Sequence, residues 1–401
     1  MKNYVYNIIN IFLKILIIFP KNKKIWIFGA WHGDKYADNS RYFYEYLKNN
    51  DISQKIKLIW ITKNKKLIKK LDNKNEIYFN NSLKGIWYRL RAGIIFYTNG
   101  MQDFGNIDLS AGSYKVALWH GMPLKKMYFA SNKFEQSKVI KLTRILKNKF
   151  YSKVDRNLTI ATSNECKEKL KECFSFCKNN KFIISGQPRN DILINKNINF
   201  SLENVIETDN NLNKFSKIIT YMPTYRNIEK LKKEQIKRIE TLLQDRKLQK
   251  FLKENNILFI VKLHYLMELD KNLSSENIIF LNDSKVECTQ KLLKLTDILI
   301  TDYSSVFIDF VLQEEKNTIF YGYDSKEYFS EDETGLFYDY ENLVNNNLVK
   351  EKEELLEKLK EILNSENGNN KELNRFFNRE TYNMNNFSQN ILDFLIKEFN
   401  I

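Results

Sequence analysis

A chain of 401 residues, 43% hydrophobic and 14% aromatic, holds enough apolar material for two cores, and with 12 Gly and 4 Pro it is no linker-rich or low-complexity polymer. A formal net charge of +15 suits nucleic acid, an anionic membrane or a polyanionic substrate, although joint richness in Lys, Asn and Ile also fits AT-biased coding. The cysteines Cys166, Cys173, Cys177 and Cys288 lack the second pair or neighbouring His of a zinc pattern and read as reduced thiols.

The first apolar run, 5–19 (VYNIINIFLKILIIF), is interrupted by Asn7, Asn10 and Lys14 and stopped by Pro20. It is shorter than the roughly 20 residues of a spanning helix, and no small-residue cleavage site follows. With Tyr4 and Tyr6 at one end and Lys21, Lys23 and Lys24 at the other, it reads as a helix at a lipid interface; the alternative is an ordinary buried helix. Short apolar runs then follow at 25–28, 56–62, 93–99, 114–120, 157–163 and 181–186, separated in places by helical stretches such as 39–48 and 82–92. Continuously apolar strands are expected of a parallel sheet covered on both faces.

Between 138 and 153, Lys138, Lys141, Arg144, Lys147 and Lys149 alternate with apolar residues at helical spacing, a basic amphipathic pattern able to hold an anionic bilayer. A polar, Asn-rich stretch at 195–213 reads as an interdomain linker. The alternation restarts with strands at 217–224, 257–264, 277–281, 297–301 and 317–322, a long charged helix at 228–254, and helices at 351–363 and 383–399. The expected fold is α/β: two doubly wound domains in series with a cleft between them, and ligands outside the carboxyl ends of the strands. The boundaries are a membrane-interface helix at 1–23, domains at 24–195 and 214–382, and a C-terminal helix at 383–401.

All three histidines follow strand ends: His32 in GAWHGDKYADNS, His120 in WHGMPLKK and His264 in KLH. The strand at 298–301 runs into Asp302, Tyr303, Ser304 and Ser305 and then an apolar helix, whose first N–H groups with hydroxyls beside them can bind phosphate. GQPRND (186–191) and YMPTYRN (221–227) each set a Pro-fixed turn before an Arg fork able to grip phosphate oxygens. No Walker or G-x-G-x-x-G run occurs, which disfavours ATPase and dinucleotide readings.

At these residues the chain resembles the CDP-glycerol glycerophosphotransferase family of teichoic acid synthesis. WHGMPLKK is similar to the family's WHGTPLK, GQPRND to its G-x-PRND, YMPTYR to its Y-x-PT-W-R, KLH to its K-x-H, and TDYSSVFIDF to its TDYSS-x-x-x-D. Met122, Tyr225 and Asn227 depart from Thr, Trp and Asp. The resemblance implies transfer of glycerol phosphate, or a related alditol phosphate, from a CDP-linked donor to the terminal hydroxyl of a lipid-linked teichoic acid or capsular polymer, releasing CMP. It implies a catalytic pair, His120 as base facing the acceptor and His264 at the leaving group. Gly121, Arg189, Asn190, Asp191, Thr224, Arg226, Lys262, Thr301, Asp302, Ser304, Ser305 and Asp309 are the implied substrate-binding set, Asp302 and Asp309 mainly as loop supports. It implies a GT-B-like fold of two Rossmann-type domains facing across a cleft, the domain at 24–195 serving acceptor and membrane and that at 214–382 the donor.

A neutral imidazole suits proton removal at cytoplasmic pH. No carboxylate pair of DxD type ends a strand, so neither metal nor cofactor is expected. The expected placement is peripheral, on the cytoplasmic face of the membrane. Competing readings are a GT-B glycosyltransferase using a nucleotide sugar and, in another class, a basic nucleic-acid-binding protein; exposed aromatics clustered with the charge, or a known reading module, would be needed for the last.

Overall fold

The computed structural model describes residues 6, 9–10, 12–71, 76–132, 156–177, 179–206, 212, 214–263, 267, 273–281, 286, 288–331 and 335–401. His264 and the basic stretch at 138–153 lie outside them. The chain divides into two compact units. The first gathers 1–122, 127–191 and the C-terminal 383–401; the second gathers 123–126 and 192–382.

The first unit holds a seven-stranded sheet in the order β3-β2-β1-β4-β5-β6-β7. Its strands are β1 (Asn22–Phe28), β2 (Lys57–Thr62), β3 (Ile77–Phe79), β4 (Ala92–Tyr97), β5 (Tyr114–Ala117), β6 (Leu158–Ala161) and β7 (Lys181–Ile184). Every neighbouring pair is parallel. Both faces are covered, so β4 and the part of β1 from Ile25 onward are buried throughout, and alternate residues feed two clusters: Trp26, Phe28, Ile94 and Phe96 in one, Ile25, Ile27, Ile95 and Tyr97 in the other. The closing helix Phe387–Phe399 packs Ile391, Leu392 and Leu395 into the first cluster. Gly186, at φ +75°, makes room for it: a Cβ there would come within 2.3 Å of the Phe387 ring.

The second unit is built on the order β10-β9-β8-β11-β12-β13, again all parallel. The strands are β8 (Lys217–Met222), β9 (Ile257–Lys262), β10 (Ile278–Leu281), β11 (Ile298–Thr301), β12 (Asn317–Tyr321) and β13 (Leu348–Val349). The expected helix at 228–254 is two, Glu229–Leu243 and Arg246–Glu254, because the Asp245 carboxylate between them accepts from the amides of Lys247 and Leu248 and starts a new helix. The Asn-rich stretch is tied down where it is described: Leu202, Val205 and Ile206 are buried, and Ile206 bridges to Val286.

In each unit the strand order reverses once at the centre, between β1 and β4 and between β8 and β11. Those are the switch points, where crossover helices diverge and leave a crevice at the carboxyl edge.

Candidate active site

At the switch point of the first unit, the loop after β1 carries an unusual concentration of positive φ: Trp31 at 48°, His32 at 55° and Asp38 at 63°. Each such residue costs roughly 1–3 kcal/mol and persists where its surroundings over-determine it. Here Asp103, fully buried in the loop after β4, does so. One of its oxygens accepts from the His32 amide at 2.7 Å, the other from the amides of Thr98 (2.9 Å) and Asn99 (3.0 Å) and from Thr98 Oγ1. Burial pushes the Asp103 carboxyl up, and these donors pull it back.

The loop after β5 carries His120. Trp119 is held at φ 52°, and its indole lies 4.1 Å from the imidazole centroid. His120 is half-buried, with Nδ1 3.3 Å from the carbonyl of Thr98. A carbonyl only accepts, so that contact puts the proton of the neutral ring on Nδ1 and leaves the Nε2 lone pair available. Burial lowers the pKa of His120, against the opposing pull of Asp38. Gly121 follows at φ 148°, a conformation side chains rarely take.

Asn39 ties these loops together. Its Nδ2 donates to the carbonyls of Leu118 (2.9 Å) and Trp119 (3.0 Å) and to Gln187 Oε1, and its Oδ1 accepts from the Arg189 amide. Arg189 is itself buried, with Nη1 2.8 Å from Asp38. Asn190 is buried beside it in the turn Pro188–Asn190. Asp191, expected among substrate ligands, is engaged otherwise: it accepts from the amides of Phe387 (2.6 Å) and Ser388 (3.1 Å) and from Ser388 Oγ, capping the closing helix. Burial pushes its carboxyl up to about 6.

At the switch point of the second unit, the expected Arg226 fork is fully buried and already closed on protein. Nε and Nη2 meet both oxygens of Asp324 at 2.7 and 2.8 Å, Nη2 also meets Asp302 at 2.9 Å, and Nη1 donates to the Thr224 carbonyl. Burial opposes the charge, but Asp302 and Asp324 outweigh it and hold the guanidinium above its ordinary range. Tyr303 and Tyr328, stacked 4.5 Å apart, both lie against that guanidinium, and Tyr303 Oη donates to Asp324 at 3.0 Å. An Arg so enclosed organises the loop rather than reaching out of it.

What it organises is a row of small groups. Asp302 accepts from the Thr224 amide at 2.8 Å, fixing the loop after β8, while Thr224 Oγ1 is buried without a partner among the described residues. Thr301 Oγ1 donates to the Met222 carbonyl and stitches β11 to β8. Ser304 Oγ accepts from the Val306 amide at 3.3 Å; Ser305 stands at the cap of the five-residue helix Val306–Phe310 with no side-chain bond to it. Asp309, in that helix, receives Gln290 Nε2 and is structural. Lys262 ends β9, half-buried.

Sequence reasoning missed Asp38, Asn39 and Asp103 in the first unit and Asp324, Tyr328 and Lys125 in the second. Lys125 belongs to the WHGMPLKK run, but 123–126 groups with the second unit, pairing against Leu336, and its ammonium lies 4.4 Å over the Tyr328 ring. The GAWHGDKYADNS and PLKK signals contained three of the six.

The profile of the family described as CDP-Glycerol:Poly(glycerophosphate) glycerophosphotransferase matches residues 11–397. The chain is 30% identical over 367 residues to the teichoic acid poly(glycerol phosphate) polymerase of Bacillus spizizenii, covering 89% of this chain and 88% of that one. It is 26% identical to the teichoic acid glycerol-phosphate transferase of Staphylococcus aureus, over 87% of this chain and 86% of that one. In three dimensions it is similar to the wall teichoic acid polymerase TagF, with a TM-score of 0.65, 20% identity, and coverage of 99% of this chain and 95% of the other, in keeping with the α/β, GT-B-like fold. A profile match over nearly the whole length, joined to a relative 30% identical over most of both chains, leaves one conclusion: the chain belongs to the CDP-glycerol glycerophosphotransferase family.

Proposed function

We propose that this glycerophosphotransferase moves glycerol phosphate from CDP-glycerol to the terminal hydroxyl of a lipid-linked teichoic acid or capsular polymer at the cytoplasmic face of the membrane, releasing CMP. The acceptor oxygen attacks the glycerol-bearing phosphorus, the phosphorus–oxygen bond to CMP breaks, and the acceptor proton passes to His120 Nε2. The observation that carries this role is the Thr98 carbonyl on His120 Nδ1, which presents the opposite nitrogen unprotonated.

The second unit is assigned the donor. Thr224, Ser304 and Ser305, with Lys125 and Lys262, supply hydroxyl and ammonium donors for two phosphates, and the Arg226–Asp302–Asp324 cluster fixes the loops that present them. His264, outside the described residues, is assigned to the leaving CMP. Fixed donors aimed at developing charge need no reorganisation during transfer. No step is assigned to a metal, and activity is expected to survive a millimolar chelator.

The test is CMP release from CDP-glycerol, with and without a lipid-linked acceptor, against CDP-ribitol and nucleotide sugars. Acceptor-dependent CMP release from CDP-glycerol is expected. Turnover of a nucleotide sugar in its place would make the chain a glycosyltransferase and overturn the reading.

A further inference from the structure

Among the described residues, the first unit buries Arg89, Arg156 and Arg189. A cation taken out of water is costly unless its charge is met. Arg89 donates Nη1 to the Asn80 carbonyl at 3.1 Å and Nη2 to that of Ile107, and Arg189 meets Asp38. Arg156, 2% exposed, is set apart by the rings it lies on. Its guanidinium carbon stands 3.7 Å from the centroid of Phe174 and 5.7 Å from that of Trp119. A planar, weakly hydrated guanidinium stacks on aromatic faces in a way an ammonium does not.

Both ends of this stack are anchored. Asn157, the next residue along, is tied to the strands on either side: its amide and its Oδ1 bond to the backbone of Lys115, each at 2.8 Å, and its carbonyl accepts from Lys181 at 2.8 Å. Phe174 ends the helix Asn164–Cys173, with its amide on the Leu170 carbonyl, and meets Trp119 edge to face at 5.1 Å. Tyr128, another residue at positive φ (48°), packs 4.9 Å from the same Phe174 ring. The Arg156 charge reaches that ring too: burial raises the Tyr128 pKa and the cation opposes the rise. Bulky side chains take such φ rarely and keep it where their surroundings hold them. Asn39 holds the backbone of Trp119, and Phe174 with Arg156 holds its indole.

The imidazole beside it depends on that indole. The contact from His120 Nδ1 to the Thr98 carbonyl is 3.3 Å, long for an N–H···O bond. A bond of that length selects the tautomer but holds the ring plane loosely. The Trp119 ring, 4.1 Å away and inclined by 30°, supplies the wall that limits the tilt.

We propose that Arg156 is a positioning residue for the transfer: through the indole of Trp119 it fixes the plane of His120 and so the direction of the Nε2 lone pair. It rests on the role given to His120 above and names the residue that aims it. A base displaced by about 1 Å loses on the order of 10²-fold in rate, so a cation that touches no substrate acts on kcat.

The test uses the full chain labelled with nitrogen-15, whose 3 histidines give separable imidazole signals, those of His120 being the set lost in His120→Gln. Wild type is expected to show the Nδ1–H tautomer at His120. In Arg156→Met the two His120 nitrogens are expected to move towards the average of exchanging tautomers, with kcat for CMP release down about tenfold to a hundredfold and donor KM unchanged. Arg156→Lys keeps the charge without the plane and is expected to shift the same signals, so it serves if the Met variant does not fold. Arg89→Met, which also removes a buried cation, is expected to lower the melting temperature and leave the His120 signals in place. In a Trp119→Phe background, Arg156→Met is expected to add little further loss, because the two act in series. Unmoved His120 signals in the Arg156 variants, losses that add in full, or a raised donor KM at wild-type kcat would each overturn the proposal. CMP release absent from wild type would sink the transferase reading, and the imidazole signals would still decide whether Arg156 orients the ring.

Discussion

At the first switch point the buried carboxylate of Asp103 accepts from three backbone amides, whereas at the second the buried carboxylates of Asp302 and Asp324 close on a guanidinium. The first arrangement shapes loops by taking up amides that would otherwise lie unpaired, and holds a neutral imidazole. The second shapes loops with a charge cluster wrapped in tyrosine rings. In both, the most heavily bonded residues are buried carboxylates that fix the loops, and the groups proposed to do chemistry, an imidazole nitrogen in the first unit and hydroxyls in the second, are small.

The largest expected effect falls on the lightly bonded group. His120→Gln keeps a hydrogen-bonding side chain but cannot take a proton, so CMP release should drop about 10²–10⁴-fold with little change in melting temperature. Because burial lowers the His120 pKa, the acid limb of kcat/KM in wild type should lie below about 6.5, the ordinary imidazole value. The linked stability change has a definite sign. Below 6.5 the unfolded chain takes the proton before the folded one, so this contribution is present above that pH and is lost as pH falls towards the lower folded value. An acid limb above 6.5 would break the assignment of His120 as a desolvated base.

Next comes the charge cluster. Arg226→Met removes the cation and leaves Asp302 and Asp324 buried and uncompensated, which should cost about 3–5 kcal/mol in denaturant unfolding of the second unit. If Arg226 instead acted directly on phosphate, the loss would appear as a raised KM for donor in a protein that melts normally. Asp103→Asn should cost less, about 1–3 kcal/mol, since an amide oxygen can still accept from some of the three N–H groups while its NH2 faces the rest. Its activity loss should follow the displacement of Thr98, whose carbonyl orients His120.

Much of this frame was readable in advance. The long strands are continuous apolar runs because both faces of each sheet are covered, and their order in the chain yields two doubly wound units. Strands β3 and β13, three and two residues long, carry too few side chains to show a pattern. The motifs mark loops at the carboxyl ends of the strands but do not show which residues inside them pair with one another. YMPTYR displays an Arg, yet its partner Asp324 is 98 residues away and becomes visible when β8, β11 and β12 lie side by side. Likewise, nothing local in GQPRND shows that Phe387 and Ser388 present amides to Asp191.

Tyr303 offers the finest test of the contrast between framework and chemistry, because it stands in the middle of the TDYSS run. Its hydroxyl donates to Asp324, and its ring stacks on Tyr328 against Arg226. Tyr303→Phe removes one hydrogen bond and keeps the stack, and Asp324 retains two bonds from Arg226. The expected loss is about 0.5–1.5 kcal/mol of stability with donor KM unchanged. Ser304→Ala, at the next residue along the same loop, should do the reverse, raising donor KM with little effect on melting. If Tyr303→Phe raised the donor KM while the protein melted as wild type, the tyrosine would be a ligand and the division between cluster and hydroxyls would have to be redrawn.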